Sequence, residues 1–78
     1  MKNMADALVE LARIYNERID SISKDVNAGH ISGDVAFHYL IEIRYTLRQL
    51  NDSPVFAGYT SALEEVLKRV EFCTRRYL

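Results

Sequence analysis

Apolar residues recur along the first third of the chain at spacings of three and four. They are Met4, Leu8, Leu11, Tyr15, Ile19, Ile22 and Val26. These spacings place the side chains on one face of an α-helix, because a helix completes a turn every 3.6 residues. Charged residues fall opposite, with Arg13 four positions before Glu17 and Asp20 four before Lys24. We predict a helix over about residues 3–27 with weak ion pairs along its solvated side.

The segment NAGHISGD, residues 27–34, interrupts this periodicity. Gly29 is a natural helix stop, because glycine accepts the left-handed conformation that ends many helices. Ser32 or Asp34 can then cap the next helix by accepting hydrogen bonds from its free amide groups. A second helix is therefore predicted over about residues 33–51.

A third helix follows the short connection NDS, and its start has two interpretations. Ser53 as cap and Pro54 at the first helical position favour a helix over residues 54–77, because the missing proline amide costs nothing there. Gly58 weakens this interpretation, and the capping-box sequence SALE favours a preliminary turn with the main helix starting at Ser61. The apolar face comprises Phe56, Tyr59, Leu63, Val66, Val70, Cys73 and Tyr77. We adopt the start at Pro54 and keep Ser61 as the alternative.

Three amphipathic helices joined by short turns predict an all-α fold, a small up-down-up three-helix bundle. Short connections make successive helices antiparallel neighbours. The chain has 78 residues, which leaves room for one core, so residues 1–78 are expected to form a single helical domain. Its 49% hydrophobic and 27% charged residues are typical of a folded globular protein.

The second helix carries more apolar surface than one neighbour can cover. On a helical wheel, one arc is predicted to be core: Ala36, Tyr39, Leu40, Ile43, Leu47 and Leu50. A solvated strip opposite comprises Asp34, His38, Glu42, Thr46 and Gln49. Between them lies an apolar stripe of Phe37, Ile41 and Tyr45, with Arg44 and Arg48 beside it. The stripe is either core or an exposed interface, since aromatic residues and arginine are enriched where proteins bind proteins.

A smaller candidate surface lies on the third helix. Phe72 falls off the apolar face, four residues from both Lys68 and Arg76. Single exposed apolar residues are common, so Phe72 supports the stripe rather than defining a site. The predicted partner-binding residues are Phe37, Ile41, Arg44, Tyr45, Arg48, Phe72 and Arg76.

No motif for catalysis, cofactor binding or metal binding emerges. The glycines form no phosphate-binding loop, and two histidines with one cysteine match no zinc pattern. Cys73 falls on an apolar face, where cysteine behaves as a small hydrophobe rather than as a nucleophile. We therefore predict a protein that is not an enzyme and needs neither cofactor nor metal.

The charge balance argues against nucleic acid as the main partner. The net charge is −1, from ten basic and eleven acidic residues spread along the chain. The alternative is a nucleic-acid-binding or regulatory protein that uses a basic patch on helices two and three. That patch would contain Arg44, Arg48, Lys68, Arg69, Arg75 and Arg76, with Glu64, Glu65 and Glu71 interleaved.

The expected compartment is the cytoplasm. One cysteine cannot form an internal disulfide, and no apolar run approaches the roughly 20 residues of a membrane span. We therefore expect no membrane partner.

The absence of chemical motifs, together with the apolar stripe, predicts a small module that docks a helical face on a larger protein of unknown identity. Inhibitors, immunity proteins and phage-encoded modulators of host or defence proteins act in this way. The sequence leaves open whether so small a core is also stabilised by forming a homodimer. The turn GHIS, residues 29–32, is similar to turns in small bacterial helical domains, including adaptor domains and bacteriocin immunity proteins. Four residues do not define a family.

Overall fold

A computed structural model describes residues 3–77. Residues 1, 2 and 78, which the sequence analysis assigns to the same domain, lie outside the described residues. Between positions 3 and 77 the chain forms three α-helices, α1 (Met4–Asn27), α2 (Gly33–Asp52) and α3 (Ser61–Thr74). Two 3-10 turns, Pro54–Phe56 and Arg75–Tyr77, precede and follow α3. The predicted all-α three-helix bundle is confirmed.

Contacts at the two ends of α2 fix its direction relative to α3. Arg48 binds Glu71 in the second half of α2, whereas Gly33 at its start lies beside Tyr77. Positions that increase along α2 therefore decrease along α3, so the two helices are antiparallel.

The direction of α1 follows from the residues that share grooves with α2. Ile22 and Tyr39 line one groove, and Tyr15 and Thr46 line another. The two helices therefore run in opposite directions, which completes the predicted up-down-up order. The bundle measures 41 × 23 × 14 Å, and its long axis is close to the roughly 36 Å that the 24 residues of α1 span.

The core is built from one face of each helix. Its buried apolar side chains are Leu8, Ala12, Ile19, Ile22, Ala36, Leu40, Ile43, Leu47, Leu63, Val66 and Val70. Three residues predicted on the apolar faces are exposed instead, namely Met4, Tyr39 and Tyr59. Met4 lies in the terminal turn of α1, and Tyr59 precedes α3 in a loop. Tyr39 lies on the edge of the core arc, on a flank of α2 that α3 does not cover.

Side-chain caps start the first two helices. The Asn3 Oδ1 atom accepts a hydrogen bond from the Asp6 amide at 2.9 Å, and the Ser32 Oγ atom accepts one from the Val35 amide at 3.2 Å. Ser32 rather than Asp34 is therefore the cap of α2, one of the two alternatives that the sequence left open.

The stop after α1 is a Schellman motif around Gly29, which has a φ of +77°. The His30 amide donates to the Asp25 carbonyl at 2.8 Å, and the Gly29 amide donates to the Val26 carbonyl at 3.0 Å. These bonds satisfy carbonyl groups that the last turn of α1 would otherwise leave free. The predicted role of Gly29 is confirmed.

We expect Gly29→Ala to destabilise the bundle by about 1 kcal/mol, because an L-residue is strained at this positive φ. Gly33→Ala is the matched control and should stabilise by about 0.5 kcal/mol, through a less flexible unfolded chain. A Cβ at Gly33 would lie at an ordinary contact distance, 3.5 Å, from Tyr77 Cδ1. Urea denaturation followed by circular dichroism measures both; effects of the same sign would contradict this account.

The start of α3 differs from the adopted prediction. Gly58 has a φ of +86°, which no α-helix contains, so a continuous helix from Pro54 does not form. The alternative, a preliminary turn followed by a helix from Ser61, is confirmed. The cap is Thr60 rather than Ser61, and its hydroxyl donates to the Glu64 carboxylate at 3.3 Å instead of accepting from an amide. The predicted capping box is therefore absent.

Arg69 links α3 to α1. Its guanidinium donates to the Asn16 carbonyl oxygen at 3.2 Å and to Asn16 Oδ1 at 2.8 Å, and it also pairs with Asp20. The predicted pair between Asp20 and Lys24 is thus replaced by one between helices, because Asp20 lies on the flank of α1 that faces α3. The pair predicted between Arg13 and Glu17 is present at 2.7 Å.

Arg69→Met should lower the free energy of unfolding by about 1 kcal/mol. Charge-assisted hydrogen bonds contribute more than this when buried, but the Arg69 side chain is partly exposed and therefore screened. Lys68→Met, at an exposed neighbouring position, should change the stability by less than about 0.5 kcal/mol. Equal losses in chemical denaturation would show that the Arg69 bonds do not contribute.

Candidate docking surface

The apolar stripe of α2 is partly covered. Phe37 and Ile41 are half-buried on the flank that faces α3, whereas Tyr45 is 65% exposed. The stripe is therefore partly covered, and none of its three residues belongs to the buried core. Its first two residues line a groove with residues of α3, and the third is mostly exposed.

A groove of about 360 Å³ opens between α2 and the end of α3. Its lining residues are Phe37, Ile41, Arg44, Arg48, Glu71, Thr74 and Arg75. The Thr74 hydroxyl donates to the Val70 carbonyl at 2.6 Å, so it is engaged within its own helix. The groove therefore combines an apolar part, from Phe37 and Ile41, with charged groups along its sides.

This groove continues along α2 through two further depressions. One is lined by Ile41, Arg44, Tyr45 and Arg48, and the next by Tyr45, Arg48, Gln49, Asp52 and Ser53. Because neighbouring depressions share residues, they form one surface from Phe37 to Ser53, which we call the α2 groove. The rise of a helix makes it about 22 Å long between Phe37 and Asp52.

Glu71 is shared between two arginines in the α2 groove. The Arg48 guanidinium donates to the Glu71 carboxylate at 2.8 Å, and Arg44 Nε lies 3.9 Å from the same oxygen. Arg75 lines the groove as well, and no acidic residue between positions 3 and 77 pairs with it. The depression at the Phe37 end of the groove is therefore lined by three arginines and one glutamate, so positive charge is in excess there.

Tyr45 is held along the surface of α2 by Gln49, whose side-chain amide donates to the Tyr45 hydroxyl oxygen at 2.8 Å. The tyrosine keeps its own O–H to donate. A rigid ring with one hydrogen-bonding end provides large contact area at a small cost in conformational entropy. Tyr45 is thus suited to be an anchor in an interface.

Two of the predicted partner-binding residues lie elsewhere. Phe72 follows Glu71 by one position, so its side chain points about 100° further around α3. It is 63% exposed, and Arg76 is exposed beside it. The fold therefore brings together five of the seven predicted residues and separates Phe72 and Arg76 from them.

The fold also divides the predicted basic patch. Arg69 is bound to α1, whereas Arg44, Arg48 and Arg75 lie in the α2 groove. Of the remaining basic residues, Lys68 is exposed on α3 and Arg76 is exposed in the turn that follows α3. The basic residues of the predicted phosphate-binding patch are thus divided among three parts of the surface.

A second groove, between α1 and α2, was missed by the sequence analysis. It has a volume of about 420 Å³ and is lined by Ile14, Glu17, Arg18, Ser21, Ile22, Asp25 and Tyr39. Tyr39 is 47% exposed there, and Ile14 is exposed as well. The sequence does contain an apolar residue outside the apolar face of α1, namely Ile14, and this residue could have indicated the groove. The position of Ile14 could not be interpreted without α3, because α3 packs on the other flanks of α1 and α2 and leaves this groove open.

The polar groups that the sequence analysis considered for metal binding or catalysis lie mostly at exposed positions. Asp34, His38 and Glu42 are exposed, as predicted for a solvated strip, and Cys73 is a half-buried free thiol. Across residues 3–77, no three histidine, cysteine, aspartate or glutamate side chains are placed to hold a metal ion. Over the same residues, no helix has the length and apolar character needed to cross a membrane.

Comparisons with known proteins leave the family open. No family model matches the chain, and no match was found among curated proteins or among solved structures. The α2 groove must therefore be interpreted from its own geometry.

Proposed function

We propose that this protein is a binding module without enzymatic activity, which docks the α2 groove on a larger protein. The main observation in support is the exposure of Tyr45, which lies at the middle of the continuous α2 groove. The other apolar residues of the groove, Phe37 and Ile41, are half-buried. A stripe needed only for the core would be covered along its whole length. Here one end of it is available to another molecule.

Docking would act through a few residues. Aromatic and arginine side chains near the centre of an interface carry most of its energy, and Tyr45, Arg44 and Arg48 are of these types. The module would then cover a functional surface of its partner or bridge two partners. An inhibitor, an immunity protein or a phage-encoded modulator in the cytoplasm fits this mode of action.

Peptide selection followed by NMR tests the proposal. Peptides of about 15 residues, the length of a helix that matches the groove, are selected from a random library on the immobilised protein. We expect the selected peptides to shift amide resonances of residues 37–53 and to leave those around Phe72 unchanged. Peptides that shift only Ile14 and Tyr39 would place docking in the groove between α1 and α2 and contradict the proposal.

The nucleic-acid alternative makes a different prediction. It requires affinity for single-stranded or duplex oligonucleotides that falls steeply with salt and with the loss of Arg44, Arg48 and Arg76. Fluorescence anisotropy with labelled oligonucleotides separates the two proposals, because peptide docking on residues 37–53 does not require Arg76.

A further inference from the structure

The length and charge of the α2 groove identify the kind of molecule that fits it. We infer that the groove binds an acidic amphipathic helix of about 15 residues supplied by another protein. This inference rests on the proposed docking function and specifies the partner.

The shape of the groove favours a helix. It follows α2 for about 22 Å as a chain of shallow depressions rather than as one deep cavity, so an elongated ligand covers it best. Every regular element between residues 3 and 77 is helical, so this part of the chain offers no sheet edge for an added strand. An amphipathic helix can instead lay its apolar face on Phe37, Ile41 and Tyr45.

The charges of the groove favour an acidic ligand. Arg44, Arg48 and Arg75 line the depression at its Phe37 end, where Glu71 is the one acidic lining residue, although the whole chain has a net charge of −1. The Glu71 carboxylate lies 2.8 Å from Arg48 but 3.9 Å from Arg44, so the Arg44 pair is loose. Carboxylates on the ligand can complete the pairing of both arginines.

The sign of the charge reverses at one end of the groove, where Asp52 lies beside Tyr45 and Arg48. The bound helix should therefore place its acidic residues opposite the segment from Phe37 to Arg48. Basic residues are compatible only at the end that approaches Asp52. This polarity sets the direction of the ligand along α2.

The same charges oppose a second copy of this chain as the ligand. In a twofold symmetric dimer whose axis passes near Arg44 and Arg48, the arginines of the two copies would meet. The like charges of the two copies would repel each other, whereas an acidic helix from another protein would be attracted to the arginines.

The selected peptides test the inference. Among those that map to residues 37–53, aspartate and glutamate should outnumber lysine and arginine, with apolar residues three and four positions apart. Their affinity should fall as salt increases. Glu71→Gln should strengthen binding several-fold, because it removes the internal competitor for Arg44 and Arg48. Replacing both arginines with glutamine should weaken binding by about tenfold or more.

Arg76→Gln is the matched control, since Arg76 is an exposed arginine outside the groove, and its peptide affinity should not change. Circular dichroism checks that each variant is folded. Peptides that map to the groove without an acidic excess, or that bind Glu71→Gln no better, would overturn the inference and leave the docking function intact. Peptides that map elsewhere would overturn the docking function itself.

Solution mass provides an independent test. Light scattering over a range of concentrations should show a monomer for the free protein. A dimer that Ile41→Glu dissociates would make a second copy the occupant of the groove and overturn the inference.

Discussion

Replacement of Leu40 with alanine is expected to lower the free energy of unfolding by about 3 kcal/mol. Leu40 is 1% exposed, and it lies on α2, which packs against both other helices. Alanine there loses the transfer energy of the removed atoms and leaves a cavity that a close-packed core fills only in part. A core of this size supplies on the order of 3 to 5 kcal/mol, so the variant should keep at most about 2 kcal/mol of its stability.

Chemical denaturation of Leu40→Ala and of Val9→Ala measures this effect with a matched control. Val9 also lies in a helix, but it is 59% exposed, so its truncation should change stability by less than about 0.5 kcal/mol. Similar losses for the two variants would mean that the core does not lie where the helix faces meet.

Tyr45→Ala should weaken the binding of a groove-mapped peptide by about 30-fold, the effect of losing an aromatic anchor worth about 2 kcal/mol. Tyr45 is 65% exposed in the free protein, so its removal should leave the fold intact. Titration calorimetry gives the affinity, and circular dichroism reports the helix content.

Phe72→Ala is the control for Tyr45→Ala. Phe72 is exposed to nearly the same extent, 63%, and lies on the outer face of α3. Its removal should leave the peptide affinity unchanged. Equal losses at the two positions would show that exposed aromatic residues bind the peptide without regard to the groove.

The double variant Phe37→Ala/Tyr45→Ala examines the apolar stripe as a whole. It should bind no peptide and keep its helix content, although half-buried Phe37 contributes some packing. If the double variant unfolds while Tyr45→Ala remains folded, Phe37 belongs to the core and Tyr45 alone serves docking.

Much of the fold follows from local rules that the sequence contains. Helical periodicity is a property of neighbouring residues, and it placed Leu8, Leu40 and Val70 in the core correctly. The stop at Gly29 and the cap at Ser32 depend on hydrogen bonds that span only a few residues. For the same reason the bounds of α1 and α2 were predicted to within one residue.

The start of α3 marks where local signals conflict. Pro54 begins a short turn, as in the alternative prediction, Gly58 follows it with a positive φ, and the helix begins at Ser61. Both starts have favourable sequence signals. Local signals therefore do not choose between them.

Three amphipathic helices, the turn at Gly29 and most of the core can be predicted from the sequence, because these features depend on residues close together in the chain. Which flank of each helix is covered depends on how the three helices pack together. This packing left Tyr39 and Tyr45 exposed, joined Asp20 to Arg69, and gave Arg44 and Arg48 a common partner in Glu71. These outcomes depend on where α3 lies against α1 and α2, and no spacing within a single helix encodes the distance between residues on different helices.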